Sequence, residues 1–390
     1  FNNMGVAYND WKKPKEAILC LKKAIAIQPS YAEAFNNIGN SYKELSDFDN
    51  AIISYKKATD LAPNYTDALC NLGICWSLQE KYEQAESAYK KALEIDPGQL
   101  KIRYYLGDLY FGMGQYIMVR NCLLEFVDSS CTDPDIYNLI GKSYQKEGSI
   151  KALHYYREAL ALNNKNKETL NNIGSFLYEK RKLNYAIGYF KKSLKIDPQN
   201  MNPKVNLAYC YLSLGFFKEG WEKHEYRWKV DPLNKAEWPI EGRLLWEGKR
   251  DSDIVLWREQ GIGDELIFLG LVPEARELSK SVSVYIDKRL IPLCERSMPD
   301  VRFLSDPEQI GEQDFDYHLP MGSLPRLFRS SEEDFEKTVK GYLKADAERV
   351  EVLRQELNVG DRKIIGISWK SIKSLNHLKK SLTLMEFGKI

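Results

Sequence analysis

Residues 31–64 read YAEAFNNIGNSYKELSDFDNAIISYKKATDLAPN. Within this stretch Gly39, Ala51, Tyr55, Ala58 and Pro63 hold offsets that recur along the chain in steps of 34 residues. Proline returns at Pro29, Pro63 and Pro97, then at Pro198 and Pro232 after one slip. Glycine returns at Gly5, Gly39, Gly73, Gly107, Gly141 and Gly174, with Ala208 in the last copy. Small residues follow at Ala17, Ala51, Ala85, Ala152 and Ala186, and again at Ala24, Ala58, Ala92 and Ala159. Tyr55, Tyr89, Tyr156 and Phe190 fill one aromatic slot. A period of this length marks stacked helix pairs. Glycine and alanine let two antiparallel helices approach closely, and the aromatic fills the space beside them. Proline after Asp96 or Asp197 stops the second helix of a pair. The copies across 98–164 are the weakest: Cys131 replaces proline, Val119 replaces alanine, and the turn near Ser149 is one residue short. Such slips are expected to change superhelix curvature and keep the fold.

These positions resemble the tetratricopeptide repeat (TPR) pattern, over roughly residues 1–232. The resemblance implies an α-solenoid whose first helices line a concave face. Two residues before the repeat glycines stand Asn3, Asn37, Asn71, Asn172 and Asn206, interrupted by Tyr105 and Leu139. An amide carries both a donor and an acceptor, so a row of them can hold an extended peptide without reading its side chains. The row is similar to the asparagine ladder in the TPR arm of O-linked N-acetylglucosamine transferase. The alternative is that these asparagines only tie neighbouring repeats together.

Composition limits the partners. With 56 basic and 55 acidic residues interspersed and a net charge of +1, there is no electrostatic footprint for nucleic acid or an anionic membrane. No apolar run approaches the roughly 20 residues that span a bilayer. The seven cysteines are scattered and form no CxxC pair, so they read as reduced and structural, and a cytoplasmic location is expected. His154, His224, His318 and His377 show no metal-ligand spacing, and no metal is expected. The chain opens on Phe1 inside a repeat and stops on Ile390 inside an element, so it reads as a piece of a longer protein.

The period fails after Asn206. Glu219-Gly-Trp221 and Glu225-Tyr-Arg-Trp228 place bulky groups where a further repeat would stack, which suggests docking against a neighbouring domain. Residues 233–250, with Trp238, Pro239 and Trp246, read as a linker packed on a surface. From Asp251 strands and helices alternate: strands at 254–257, 282–286, 301–304, 315–319 and 363–369, with helices over 265–278, near 289–295 and near 346–357. This implies a parallel sheet covered by helices. Ligands of such sheets sit at the carboxyl ends of the strands, where Gly261–Asp264, the loop Met321–Pro325 with Ser323, and Ser368–Ser371 would lie.

Gly261-Ile-Gly263-Asp264 lacks a third glycine, having Leu266 in its place, and puts a carboxylate at the helix start. Both features oppose a nicotinamide dinucleotide. Asp264 can cap the helix or act as a general base facing a cleft. Trp257-Arg-Glu-Gln260-Gly-Ile-Gly-Asp264, Glu219-Gly-Trp221, Glu225–Trp228 and Ile364–Lys370 together resemble bacterial TPR proteins fused to a heptosyltransferase-like glycosyltransferase of the GT-B type. That resemblance covers residues from about 215 onward. It implies two Rossmann-like halves, an acceptor side at 251–361 and the start of a donor side at 362–390. It makes Asp264 the catalytic base, Gly261 and Gly263 the shapers of its loop, and Gln260 a substrate contact. Ser368 with Lys379 or Lys380 would touch phosphate, unless those lysines are a solvated surface run. A nucleotide-sugar would be the donor, transfer would be metal-independent, and no cofactor is implied. Gly270-Leu271 stands where many relatives have Arg-Tyr. With only about 30 residues of the donor half, the piece is expected to be inactive by itself. The rival reading is a non-catalytic TPR scaffold with a degenerate α/β domain.

Overall fold

The computed structural model describes residues 1–127, 131–230, 244–259, 261–310, 315–336 and 341–357. Gln260, Ser368, Lys380, the strand expected at 363–369 and the donor-side half from 362 lie outside the described residues. The chain divides into two compact units, Phe1–Pro232 and Leu233–Ile390.

The first unit is seven helix pairs: α1 (Asn2–Asp10) with α2 (Pro14–Ile27), α3 (Ala32–Glu44) with α4 (Phe48–Leu61), α5 (Thr66–Leu78) with α6 (Tyr82–Ile95), α7 (Leu100–Gly112) with α8 (Tyr116–Leu123), α9 (Pro134–Lys146) with α10 (Lys151–Leu162), α11 (Lys167–Glu179) with α12 (Leu183–Ile196), and α13 (Met201–Ser213) with α14 (Phe217–His224). The second helices stop at Ile27, Leu61, Ile95 and Ile196, two residues short of Pro29, Pro63, Pro97 and Pro198. A residue preceding proline is driven out of the helical region, which sets that end. Several starts are capped by side chains, as where Asp47 accepts from Asn50 N at 3.2 Å.

The repeat glycines are sites of interpenetration. A Cβ at Gly39 would stand 2.5 Å from Tyr55, at Gly73 2.6 Å from Tyr89, at Gly141 2.6 Å from Tyr156 and at Gly174 2.5 Å from Phe190. Each ring comes from the second helix of the same pair and is almost wholly buried. The weak fourth copy keeps the arrangement with a smaller part: Leu123 meets Gly107, and Val119, where other copies have alanine, is fully buried. In the last copy the roles reverse, and Gly220 on the second helix admits Leu212 from the first. Each pair turns through one left-handed residue, Lys12, Ser46, Glu80, Gly114, Gly148, Arg181 or Gly215, with φ from 57° to 81°. Four of these carry a side chain, at about 1–2 kcal/mol each.

Among the described residues the second unit holds a parallel four-stranded sheet, β1 (Asp253–Trp257), β2 (Ser281–Tyr285), β3 (Arg302–Leu304) and β4 (Tyr317–Pro320), in the order β3-β2-β1-β4. Between and after the strands lie α15 (Ile262–Leu269), α16 (Val272–Leu278), α17 (Ile291–Ser297), α18 (Leu324–Phe328), α19 (Glu333–Glu336) and α20 (Ala347–Glu356). Ile254, Leu256, Val282 and Val284 pack with Leu269, Val272, Ala275 and Cys294 into its main core.

Three expectations need correction. The helix expected over 265–278 is two helices, because Gly270-Leu271 breaks it and Pro273 restarts it in the first turn of α16. The loop expected at Met321–Pro325 is a 3₁₀ turn, Met321–Ser323, running directly into α18. Trp246, assigned to the linker, belongs to the core. It is fully buried, its Nε1 donates to Lys249 O at 2.9 Å, and its backbone N donates to His318 O at 2.9 Å, while His318 N donates to Leu244 O at 3.2 Å along the outer edge of β4.

Candidate functional site

The first helices of successive pairs touch one another and form a continuous layer. Within it the asparagines form bridges between repeats. Asn37 Nδ2 donates to Asn2 Oδ1 (3.0 Å), Asn71 to Asn36 (3.1 Å), Asn172 to Asn138 (3.0 Å) and Asn206 to Asn171 (3.0 Å). Each acceptor sits one residue before the ladder position in the preceding copy. That second row escaped sequence reasoning, although the tandem pairs Asn2-Asn3, Asn36-Asn37 and Asn171-Asn172 were a signal for it. The bridge uses a donor of each ladder amide. Among the described residues the Oδ1 atoms of Asn37, Asn71, Asn172 and Asn206 accept no hydrogen bond, and these four side chains are half-buried. Asn3 is exposed. An open carbonyl oxygen on a held amide is a fixed acceptor, suited to a backbone N–H.

In the second unit the carboxyl ends of β1 and β4 bring two of the expected loops together. Gly261 caps α15 with extended backbone (φ −75°, ψ 165°), and Gly263 is exposed. Asp264 stands in the first turn, half-buried, with no side-chain hydrogen bond among the described residues. Ser323 follows β4 and is fully buried, so its hydroxyl is enclosed by protein. A Cβ on Gly322 would overlap the carboxylate of buried Glu259, which shows how tightly the loop after β1 is laid on the loop after β4.

The neighbouring acid, Glu265, is 1% exposed. Its Oε2 accepts from Asp287 N at 2.8 Å, and its Oε1 lies 3.3 Å from Arg258 Nε. Burial raises its pKa, against the pull of the Asp287 amide and the Arg258 charge. Asp287 accepts from Arg289 at 2.9 Å through both oxygens and lies 3.4 Å from Arg258. The Arg289 hydrogen bonds hold its carboxyl well below the usual carboxylate range. This network of Arg258, Glu265, Asp287 and Arg289 ties the start of α15, which carries Asp264, to the segments that follow β1 and β2. Sequence reasoning missed it, because Arg258 and Glu265 are separated by more than 20 positions from Asp287 and Arg289, and nothing in their spacing links the two pairs.

Family models for the tetratricopeptide repeat match residues 32–65 and 66–99, with related TPR models matching 5–46 and 168–200. The first unit is built of tetratricopeptide repeats. A TPR protein from Parabacteroides merdae superposes with a TM-score of 0.52 at 13% identity, over 60% of this chain and 94% of that one. The APC/C hetero-tetramer Cut9-Hcn1 gives a TM-score of 0.50 at 17% identity, over 58% of this chain and 45% of that one. Both likenesses concern the fold. Protein FlbA of Caulobacter vibrioides is 29% identical over 185 residues, 43% of this chain and 31% of FlbA, so the chain spans about a third of that relative.

The TPR cysteines are free, and burial pushes the thiols of Cys70, Cys75, Cys122 and Cys210 up to about 11. They are packing groups and poor nucleophiles. Among the described residues no three His, Cys, Asp or Glu side chains are grouped to hold a metal ion, and no helix is long and apolar enough to cross a membrane.

His224 closes the last TPR. It is 6% exposed, edge-on to Trp221 and Tyr209, and beside Arg227. Burial first and the Arg227 charge second push its pKa down to about 3. The folded state therefore holds it neutral, while the unfolded chain takes up a proton below about pH 6.5. Its contribution is complete above pH 6.5 and is lost toward pH 3, at about 1.4 kcal/mol per pH unit. Thermal melts of the first unit should fall across that window, and His224→Gln should flatten the fall. An equal slope in the variant would remove His224 as the cause.

Proposed function

We propose that the TPR unit binds an extended peptide segment of a partner protein along its asparagine ladder. The observation that carries this is the set of half-buried amides held by inter-repeat bridges with their carbonyl oxygens unused. The bridges fix the amide orientation before a ligand arrives, which lowers the ordering cost of binding. Eight-residue peptides selected from a random library on the intact protein provide the probe. Asn37→Ala with Asn71→Ala should weaken a class of them about ten-fold or more, equivalent to one or two lost hydrogen bonds. Unchanged affinity across the selected peptides for every ladder substitution would sink the reading.

A second reading concerns the α/β unit: the acceptor-side half of a sugar transferase. It is favoured by the place of Asp264, an acid without a side-chain partner among the described residues, at the carboxyl end of β1 in a parallel sheet of order 3-2-1-4. In this reading Asp264 takes the proton of an acceptor hydroxyl. The freed oxygen attacks the anomeric carbon of a nucleotide-sugar, and the nucleotide leaves with the bonding pair, inverting that carbon. Calorimetry against a panel of nucleotide diphosphate sugars, on protein carrying both halves, tests the donor. With a binding donor in hand, Asp264→Asn should lower transfer about 10²-fold or more and leave peptide affinity unchanged. Normal transfer by that variant would remove Asp264 as the base. Absence of donor binding in folded protein would leave the scaffold reading.

A further inference from the structure

The ladder is not continuous. Between Asn71 and Asn172 the two corresponding positions hold Tyr105 and Leu139. Tyr105 stacks on Tyr89 at 6.2 Å between centroids and 14° between planes. Leu139 is 1% exposed and reaches within 3.3 Å of a Cβ placed on Gly107. Every residue of α9 from Ile136 to Gly141 is buried, so this helix offers the face no amide over that stretch. Asn138 is 4% exposed and is already engaged as acceptor for Asn172 and donor to Glu168. Every junction between repeats has an apolar cluster, but those of the third with the fourth and the fourth with the fifth lack the ladder amide bridge that accompanies it elsewhere.

Spacing turns this interruption into a statement about the ligand. Packed helices lie about 10 Å apart, and an extended peptide advances about 3.3 Å per residue, so one rung of the ladder corresponds to about three peptide residues. Asn3, Asn37 and Asn71 then span about six residues of a bound strand. Asn172 and Asn206 span about three. The gap between Asn71 and Asn172 would leave about nine residues of a single strand unheld, each costing about 1 kcal/mol to order with no backbone bond in return.

We infer that the TPR face contains two separate docking segments, one on the first three repeats and one on the last two, each taking a short extended peptide. This rests on the peptide-binding reading above and adds to it the number, place and length of the occupants. The partner chemistry follows: two extended motifs of about six and three residues, read through their backbones, carried on one flexible partner or on two. Joining two such motifs by a linker long enough to cross the gap would raise the apparent affinity through effective concentration.

The eight-residue library distinguishes the cases, since each member reaches only about 26 Å when extended. Two peptide classes are expected. One class weakens about ten-fold or more with Asn37→Ala plus Asn71→Ala and is indifferent to Asn172→Ala plus Asn206→Ala, and the other shows the reverse. The asparagine substitutions also remove inter-repeat bridges, so a second pair of variants protects the test from misfolding. Val6→Arg, at a position 37% exposed, should disturb only the first class, and Asn202→Arg, at an exposed position one turn before Asn206, only the second. Asp108→Ala and Lys142→Ala lie on the interrupted stretch and should change neither class. A class that requires Asp108 or Lys142 would overturn the division while leaving groove binding intact. Indifference of every peptide to every one of these variants would overturn the groove reading itself, and this inference with it.

Discussion

Gly73→Val should be among the most damaging single changes in the repeat unit, lowering stability by about 3 kcal/mol. The added Cβ falls 2.6 Å from Cε1 of Tyr89, a ring that is 2% exposed and has no open side into which to move. For a unit of this size 3 kcal/mol corresponds to a fall of roughly 6–12 °C in Tm. Leucine is the compensating change, because its branched end can turn aside where a ring cannot: it meets the glycine at 3.0 Å in the fourth repeat and closer still in the first. Gly73→Ala combined with Tyr89→Leu should therefore cost about 1 kcal/mol less than the sum of the two single changes. Calorimetric melts of the four proteins measure that coupling. Strict additivity would show that ring and glycine do not interlock.

The second large effect concerns Trp246. Trp246→Ala should destabilise the α/β unit by about 3–5 kcal/mol, a large share of the total stability of a small unit. The indole is fully buried, lies 6.2 Å from the Phe328 ring, and donates to the Lys249 carbonyl. Its backbone extends the outer edge of β4. Hydrogen exchange should show the loss in β1 and β4, with the TPR helices keeping their protection. Trp11→Ala is the contrast: that side chain is 68% exposed, and its loss should change stability by less than about 0.5 kcal/mol. Retained protection of β4 in the Trp246 variant would return this segment to the status of a surface linker.

What was legible in the chain follows from the range of the interactions involved. Helix pairs, their ends and the glycine–aromatic contacts are set within one copy, so the 34-residue period carries them. Left-handed turns at Lys12, Ser46, Glu80 and Arg181 bear no glycine signal, because packing of the flanking helices overrides the local preference. The ladder position was readable, but its hydrogen-bond partner lies 35 residues away for Asn37 and Asn71, in a second row that only the stacked repeats bring near. The role of Trp246 depends on pairing with a strand some 70 positions later, and it stood beside prolines and glycines that suggest a connection. The division of the helix at Gly270 was within reach, since Pro273 marks a first turn. In the α/β unit the strands announce themselves as apolar runs. The charged network beside Asp264 does not, because four residues from three segments meet only after the sheet has formed.

Because each repeat glycine and the group that first meets it belong to the same helix pair, a whole copy carries its own lock and is a natural unit of inheritance. Duplicating or deleting 34 residues leaves every remaining lock intact, so the array can lengthen or shorten by unequal recombination without passing through an unfolded ancestor. The fifth copy records a smaller event of the same history. Tyr156 follows Gly141 by one position fewer than Tyr55 follows Gly39, yet it still seats against its glycine at 2.6 Å, because the shortening fell at the start of α10, which has 12 residues where α4 has 14.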